Sequence, residues 1–501
     1  MQVTPKSSSL LARWLQDSAF YAASILKNAK KIKKMGDQKV LKLFFDASQE
    51  VPAYKYFLKK HKIKVTLVKT ISDFAKIPAT TKENYIEKYS LKDRCWDGKL
   101  DRIHMISASS GTTGEPHFWP RDLNAEIEGA YIHELIFKDI FTIDKKKTLF
   151  VNGFAMGNWI AGTFTLACVN LVAWKNYSIT SMTPGYSIEA VIELLEKMSP
   201  QFDQTIITGH TPFLKELIES AVKRGINFSK VRVFLLGTGQ GITENWRTYM
   251  ISLTRSLDRS SFLNLYGSAD AGLMGFETPL SIFLRKILSE DLIKNKKIFH
   301  NERLPSIYNF DPRLTYFEEE NKELHISKNS GCPLIRYNIH DEGGVINYED
   351  MISNFDKETF KMISKRKDSF YGWKLPFVYL FGRDKFMVKI YGANIYSEHV
   401  QSALNHNTLQ EFITGRYHLE TDYDENHNPQ IICRIEMIMG LKGNRKLENL
   451  IQKIFVEEVR KLNSEYNYIL EHIGEKVKPK IILHEHGYSV YFPKGKIKKT
   501  A

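Results

Sequence analysis

Three compact apolar runs constrain the fold most: TLFVNGF (148–154), VRVFLLGTG (231–239) and SFLNLYG (261–267). Each carries a glycine at or next to its end and opens into a loop of small residues, with helical periodicity between the runs. Short apolar runs bounded by turn residues read as strands buried on both faces. Strands of that kind alternating with helices build a parallel sheet covered by helices. In such sheets ligands bind beyond the carboxyl ends of the strands. An α/β fold follows, and the loops behind these runs are the first places to look for a site.

The character changes after Gly382. SEHVQSALN (397–405) is helical in pattern, and IICRIEMI (431–438) alternates, with Cys433, Ile435 and Met437 on one face. From Arg445 a longer helix carries Leu447, Leu450, Ile451, Ile454 and Leu462 on one stripe, and KPKIILHEHG (478–487) reads as a further strand. The expectation is α/β overall: a large N-terminal domain of layered sheets and helices (1–382) and a small α+β C-terminal domain (383–501). With 501 residues, 43% of them hydrophobic, the chain sustains a substantial core, which excludes disordered and fibrous classes. The stretch 279–306 is rich in both apolar and basic residues and reads as a surface helix rather than a partner-binding elaboration.

Cys95, Cys168, Cys332 and Cys433 lie far apart with no CxxC pair, so neither a zinc site nor a disulfide framework is expected. Arg13, Gln16 and Asp17 interrupt the apolar start, which has no signal-peptide layout and no run of about 18–20 apolar residues. It reads as an amphipathic helix packed on the body of a cytoplasmic protein with no membrane span. The net charge of +14 includes a cluster at Lys27, Lys30, Lys31, Lys33 and Lys34, and another at Lys494, Lys496, Lys498 and Lys499. Such charge suits phosphate-bearing ligands, acidic partners, anionic surfaces or nucleic acid. No nucleic-acid module accompanies it, so no nucleic-acid partner is expected, and the first cluster reads as solvated surface.

SASSGTTGEP (107–116) follows the apolar lead-in Ile103–Ile106. Glycines permit close backbone approach, and hydroxyls with free N–H groups surround phosphate oxygens. The segment is not a Walker loop, because GxxxxGK[ST] is absent. Alone it is equally an ordinary turn.

Five further segments follow it in order: Gly237-Thr238-Gly239-Gln240, Tyr266-Gly267-Ser268-Ala269-Asp270, Arg336 to Asp341, Gly382-Arg383-Asp384-Lys385 running on to Gly392, and Pro493-Lys494-Gly495-Lys496. Together the six resemble the ordered motifs of the adenylate-forming superfamily, which comprises acyl-coenzyme A synthetases, adenylation domains and luciferases. PLIRY (333–337), the SSGTTG spelling and LLGTGQGITENWR (235–247) resemble the phenylacetate–coenzyme A ligase branch in particular. The resemblance implies that a carboxylic acid attacks the α-phosphate of ATP, giving an acyl-adenylate and pyrophosphate. The acyl group then passes to a thiol, either coenzyme A or the phosphopantetheine of an acidic carrier protein, or to an amine. Ser109, Ser110, Gly111, Thr112, Thr113 and Gly114 would surround the β- and γ-phosphates. Gly237, Thr238, Gly239 and Gln240 would lie on the adenine side, with Tyr266 as a stacking wall beside Gly267 and Ser268. Asp270 would hold Mg2+, Ala269 contributing only backbone; Asp341 would take the ribose hydroxyls, and Arg383 would contact the nucleotide. Lys385 would be the hinge of a mobile C-terminal lid, and Lys496 would reach the carboxylate and α-phosphate. Thr112, Asp270 and Lys496 are the implied catalytic set.

The chain departs from that pattern in places. Asp270 stands where glutamate is usual, Glu115 and His117 replace common lysines, Lys385 replaces a common aspartate, and the spacing before Lys496 is compressed. These keep open a second class, an accessory protein that binds nucleotide or acid without turnover. Read without the resemblance, Asp341 before Glu342-Gly343-Gly344 caps a turn, and Lys496 belongs to a solubilising basic tail, although the apparent strand YSVYF (488–492) precedes it. Met156 and Trp159 line either an acyl pocket or the core.

Overall fold

The computed structural model describes residues 11–12, 14–15, 26–109, 117–157, 160–239, 241–356, 358–359, 361, 372–382, 387–390, 393–423, 429–488 and 490–492. In chain order the strands of the first part are β1 (Ile103–Ser109), β2 (His117–Asp122), β3 (Thr148–Asn152), β4 (Ile179–Met182), β5 (Gln204–His210), β6 (Val233–Thr238), β7 (Phe262–Ser268), β8 (Gly272–Phe276), β9 (Ser306–Asn309), β10 (Thr315–Glu320), β11 (Glu323–Lys328), β12 (Leu334–Ile346) and β13 (Phe377–Gly382). The three apolar runs are β3, β6 and β7. β3 to β13 make one eleven-stranded sheet in the order β10-β11-β12-β13-β9-β8-β7-β6-β5-β3-β4. The stretch from β4 to β7 is parallel, and every pairing from β7 towards β10 is antiparallel. β1 and β2 form a separate hairpin, paired up to Ser109 and His117.

Alternation along the parallel strands explains the two helical layers. Phe150, Ile206, Phe234, Leu236 and Leu263 point to one face, where they pack with Ile127, Ile132, Phe164 and Val169 from the helices Leu123–Leu135 and Ile160–Ala173. Leu149, Val151, Ile207, Val233 and Leu235 point to the other, against Leu195, Leu214, Leu217 and Trp246 from the helices Ile188–Lys197, Thr211–Lys223 and Glu244–Leu253. Period-two side chains in β and a helix on each face are what a doubly wound sheet requires. The N-terminal segment joins the first layer: Trp14 is buried there, its Nε1 donates to the Leu171 carbonyl at 3.4 Å, and the Lys175 ammonium sits 4.0 Å from its ring centre.

The 279–306 stretch differs from the expected surface helix. It forms the helices Pro279–Glu290 and Leu292–Phe299, with Leu280, Leu284, Leu288 and Phe299 buried against Ile307, Phe377 and Phe381. The i, i+4 spacing of those leucines gives one helix a continuous inward stripe, leaving Lys286 outside.

In the C-terminal part, β14 (Met387–Ile390) pairs with β15 (Ala393–Tyr396). β16 (Ile413–Tyr423) pairs antiparallel with β17 (Pro429–Met437), which runs parallel to β18 (Lys480–His484). The helices Ser397–Leu404, Arg445–Leu462 and Ser464–Ile473 cover these strands, and the resulting apolar cluster draws its buried residues only from positions 388–481. YSVYF is a turn rather than a strand among its described residues. The Phe492 N–H donates to the Tyr488 carbonyl at 2.7 Å, and Tyr488, Tyr491 and Phe492 gather around the His484 ring. Aromatic clustering, not strand pairing, is what its alternating side chains serve.

Glu128, buried on the helix Leu123–Leu135, carries a testable electrostatic cost. Burial lifts its carboxyl from 4.5 to about 7, and Lys328 and Lys39 oppose this only in part. Oε1 accepts from Asn124 at 3.3 Å, while Oε2 has no partner among the described residues. A carboxyl that holds its proton more tightly when folded stabilises below its unfolded value, and the contribution is lost as pH rises through its folded value. Glu128→Gln is therefore expected to stabilise the protein by about 3 kcal/mol at pH 8 and by less than about 1 kcal/mol at pH 5. Thermal melts at the two pH values check this; an equal change at both removes the argument.

Candidate active site

The parallel strands end level with one another. Asn152 is opposite Thr208, His210 opposite Thr238, and Thr238 opposite Leu265. The chain enters at β3, steps out to β4 and returns past β3 to β5, so the winding reverses at the ends of β3 and β5. Such a reversal leaves a crevice at the carboxyl edge.

Glycines line that edge because neighbouring side chains pack directly against their backbone. A Cβ on Gly237 would lie 2.7 Å from the Phe262 ring and 2.9 Å from Thr211 Cγ2. Gly239 has φ +97°, and a Cβ on it would meet His210 Nδ1 at 2.6 Å. Thr238 Oγ1 donates to the Leu265 carbonyl at 3.0 Å, tying the loop after β6 to β7.

Tyr266, Gly267 and Ser268 end β7, and the Ser268 hydroxyl accepts the Ala271 N–H at 3.1 Å across the turn into β8. Ala269 and Asp270 occupy that turn. Arg121, fully buried in β2, donates to the carbonyls of both, with the Asp270 carbonyl at 3.1 Å. Burial pulls the Arg121 pKa down to about 10, and Asp270 is the main charge opposing that.

Two tyrosine–aspartate bonds cross between the end of β7 and β12. Tyr266 donates its hydroxyl to Asp341 Oδ2 at 2.7 Å, and Tyr337 donates its own to Asp270 Oδ2, also at 2.7 Å. Each segment thus supplies one tyrosine and one aspartate, and all four residues are buried. Lys82 Nζ stands 3.9 Å from Asp270 Oδ2. The Tyr266 ring stacks with Tyr308 and Phe317, at 5.7 and 6.0 Å between centroids.

The backbone of β12 is held in unusual conformations: Arg336 and His340 have φ of +44° and +58°. Such residues persist only where their surroundings fix them. The Arg336 guanidinium spends itself on Glu318 at 3.1 Å, Glu320 at 2.9 Å and the Ile77 carbonyl. Its backbone carbonyl accepts from Thr80 N–H at 3.0 Å, the Thr80 carbonyl accepts from Asn338 N–H at 2.8 Å, and the Asn338 amide oxygen takes the His340 N–H at 2.7 Å.

Of the residues singled out from sequence, the structure brings together Gly237, Thr238, Gly239, Tyr266, Gly267, Ser268, Asp270 and Asp341 at the ends of β6, β7 and within β12. Ser109 ends β1. Ser110, Gly111, Thr112, Thr113, Gly114, Glu115, Trp159, Gln240, Arg383, Lys385 and Lys496 lie outside the described residues. His117 Nε2 is 3.7 Å from Glu87 Oε1, and Met156 Sδ is 3.8 Å from Asn152 Nδ2. Sequence reasoning gave no role to Arg121, Lys82 or Tyr337. A lone arginine inside the buried run of WPRD was the signal for Arg121; nothing in the sequence connects Lys82 with Asp270.

No protein-family model matches the chain, and neither does any curated protein sequence. Solved structures do. A 2-hydroxyisobutyryl-CoA ligase in its post-adenylation state, in complex with 2-HIB-AMP, superposes with a TM-score of 0.66 at 14% identity, over 95% of this chain and 90% of that one. The same ligase gives 0.55 in an open conformation with 2-HIB-AMP and CoA, and 0.53 in its thioesterification state. A GH3-type acyl acid amido synthetase in complex with 2,4-DB gives 0.56 at 13% identity, over 97% of this chain and 91% of that one. Across nearly all of its length, the chain has the fold of this CoA ligase and this amido synthetase.

Proposed function

We propose that this protein activates a small carboxylic acid with ATP, forming an acyl-adenylate and pyrophosphate, and then transfers the acyl group to a thiol. The observation that carries the reading is the reciprocal Tyr266–Asp341 and Tyr337–Asp270 pairing at the carboxyl edge of the sheet. It places two buried carboxylates beside the glycine loop after β6, which suits a nucleotide's ribose at one and the metal-bound phosphates at the other.

Asp341 would accept the ribose hydroxyls, with Tyr266 fixing its second oxygen. Ser109 to Gly114 would donate to the β- and γ-phosphates, and Gly237 to Gln240 would lie against the adenine. Among the described residues no group of three or more His, Cys, Asp or Glu side chains gathers for a metal ion. Mg2+ binds through one or two carboxylates together with phosphates and water, and the buried Asp270 is a carboxylate of that kind. Asp270 would hold it, and when bound it would offset charge on the phosphate oxygens. Lys496 would neutralise charge developing at the α-phosphate. Residues 383–501 would act as a lid hinged at Lys385, excluding water from a hydrolysable adenylate. The separate apolar cluster within 388–481 supports that division. The phenylacetate–coenzyme A ligase-like branch is the nearest assignment by motif.

The acceptor is the thiol of coenzyme A or of a phosphopantetheine carrier. An amine is the second reading, favoured by the likeness to an amido synthetase. ATP–pyrophosphate exchange with Mg2+ across aryl, fatty and hydroxy acids tests the first half-reaction. Acid-dependent exchange is expected; ATP binding without exchange for any acid would replace this reading with the non-catalytic binder. Coenzyme A, a carrier protein and amines added to the adenylate then identify the acceptor.

A further inference from the structure

Arg303 lies in the loop before β9, away from every motif quoted above, and its guanidinium is buried. Nη1 donates to Glu342 Oε2 at 2.7 Å, and Glu342 is the neighbour of Asp341 on β12. Nη2 donates to the carbonyl of Phe381, at the end of β13, and to Glu398 Oε1 at 2.7 Å. The guanidinium also covers the Tyr396 ring, 3.7 Å from its centroid. Tyr396 and Glu398 open the helix Ser397–Leu404 of the C-terminal part. One cation thus joins the strand of the candidate ribose carboxylate, the last strand before position 383, and the first helix after it.

Other contacts cross the same seam. Lys215 Nζ donates to the Ile413 carbonyl at 3.0 Å, and His486 Nε2 is 3.4 Å from Glu216 Oε1. Both are made from the helix Thr211–Lys223 and neither touches β12. Without Arg303, Glu342 and Glu398 would face each other unneutralised: burial raises the Glu398 pKa, Arg303 opposes this, and Glu342 adds to it. Charge-assisted fork geometry of this kind needs an arginine, since a lysine ammonium cannot reach two carboxylates and a carbonyl in one plane.

We propose that Arg303 is a positioning residue that couples the seating of the C-terminal unit to the placement of Asp341. The seated state is the one in which Glu398 completes the fork, and a unit that swings away gives up the Glu398 and Tyr396 contacts while Arg303 stays on Glu342. The consequence for nucleotide binding rests on the function proposed above; the seating itself does not. Coupling is reciprocal, so nucleotide held at Asp341 strengthens seating by the factor by which seating strengthens nucleotide binding.

The test uses the full chain carrying dyes at Leu257→Cys and Met439→Cys, two exposed positions, one on each side of the seam. The four native cysteines are buried, so labelling is selective. Single-molecule energy transfer then reads the fraction of seated molecules without any need for turnover. Glu398→Gln, which leaves Arg303 on Glu342, is expected to lower the ratio of seated to unseated molecules about tenfold, and Arg303→Met at least as much. In calorimetry both variants are expected to weaken ATP binding by about the same factor, with Arg303→Lys recovering only part. An unchanged energy-transfer distribution in Glu398→Gln overturns the proposal, even if Arg303→Met is perturbed. A shifted distribution in a protein that binds no ATP keeps the clasp and removes the nucleotide reading instead.

Discussion

Lys496→Met is expected to lower acid-dependent pyrophosphate exchange by about 10²–10³-fold while acyl transfer from preformed adenylate proceeds near the wild-type rate. Methionine keeps the length of the side chain and removes its charge, so the loss isolates the ammonium as a point charge. The described chain gives the proposed role of Lys496 a fixed starting point. Phe492 is buried, meets the His484 ring edge-to-face at 5.8 Å between centroids, and has its own centroid 5.6 Å from the Arg416 guanidinium, which fixes the last described residue. His486 holds the same region against Glu216, on the helix that begins at Thr211 directly after β5. From Phe492 the four residues to Lys496 span about 14 Å when extended. Adenylation that survives the substitution at full rate would show that Lys496 is only part of a solubilising end.

The parallel half of the sheet was legible because its strands are buried on both faces, and a run such as FLLG has no other stable setting than between two helical layers. The antiparallel half was not. β10 reads TYFEEE, and its glutamates look solvated until Arg336 is seen to gather Glu318 and Glu320 from across the sheet. Tyr266 was readable as part of a motif, but not its surroundings. Its stacking partners Tyr308 and Phe317 come from β9 and β10, and its hydroxyl partner from β12. Local pattern reports which residues belong to a strand; it does not report which strands a later turn will bring beside it. The same limit hid Arg303, whose three partners are contributed by β12, β13 and the helix Ser397–Leu404.

Asp270→Asn is expected to reduce exchange about 100-fold and to remove most of its dependence on Mg2+, and also to lower the melting temperature, because it takes away the main charge that offsets the buried Arg121. The local geometry is kept: the amide oxygen still accepts the Tyr337 hydroxyl, and Arg121 holds the turn through backbone carbonyls that the substitution leaves intact. Lys82, at 3.9 Å, is partly exposed and regains water. What is lost is the second, anionic oxygen, which the hydrogen bond to Tyr337 orients. Tyr337→Phe separates the two contributions. It keeps the charge but removes the donor on Oδ2, a bond of about 1 kcal/mol, so exchange is expected to fall about fivefold and the Mg2+ concentration at half-maximal rate to rise by a similar factor. Titrating Mg2+ against exchange rate in both variants decides the role of the carboxylate. If Asp270→Asn keeps the wild-type Mg2+ curve, the buried carboxylate serves Tyr337 alone, and the one-methylene shortening relative to the usual glutamate has taken the metal off this residue.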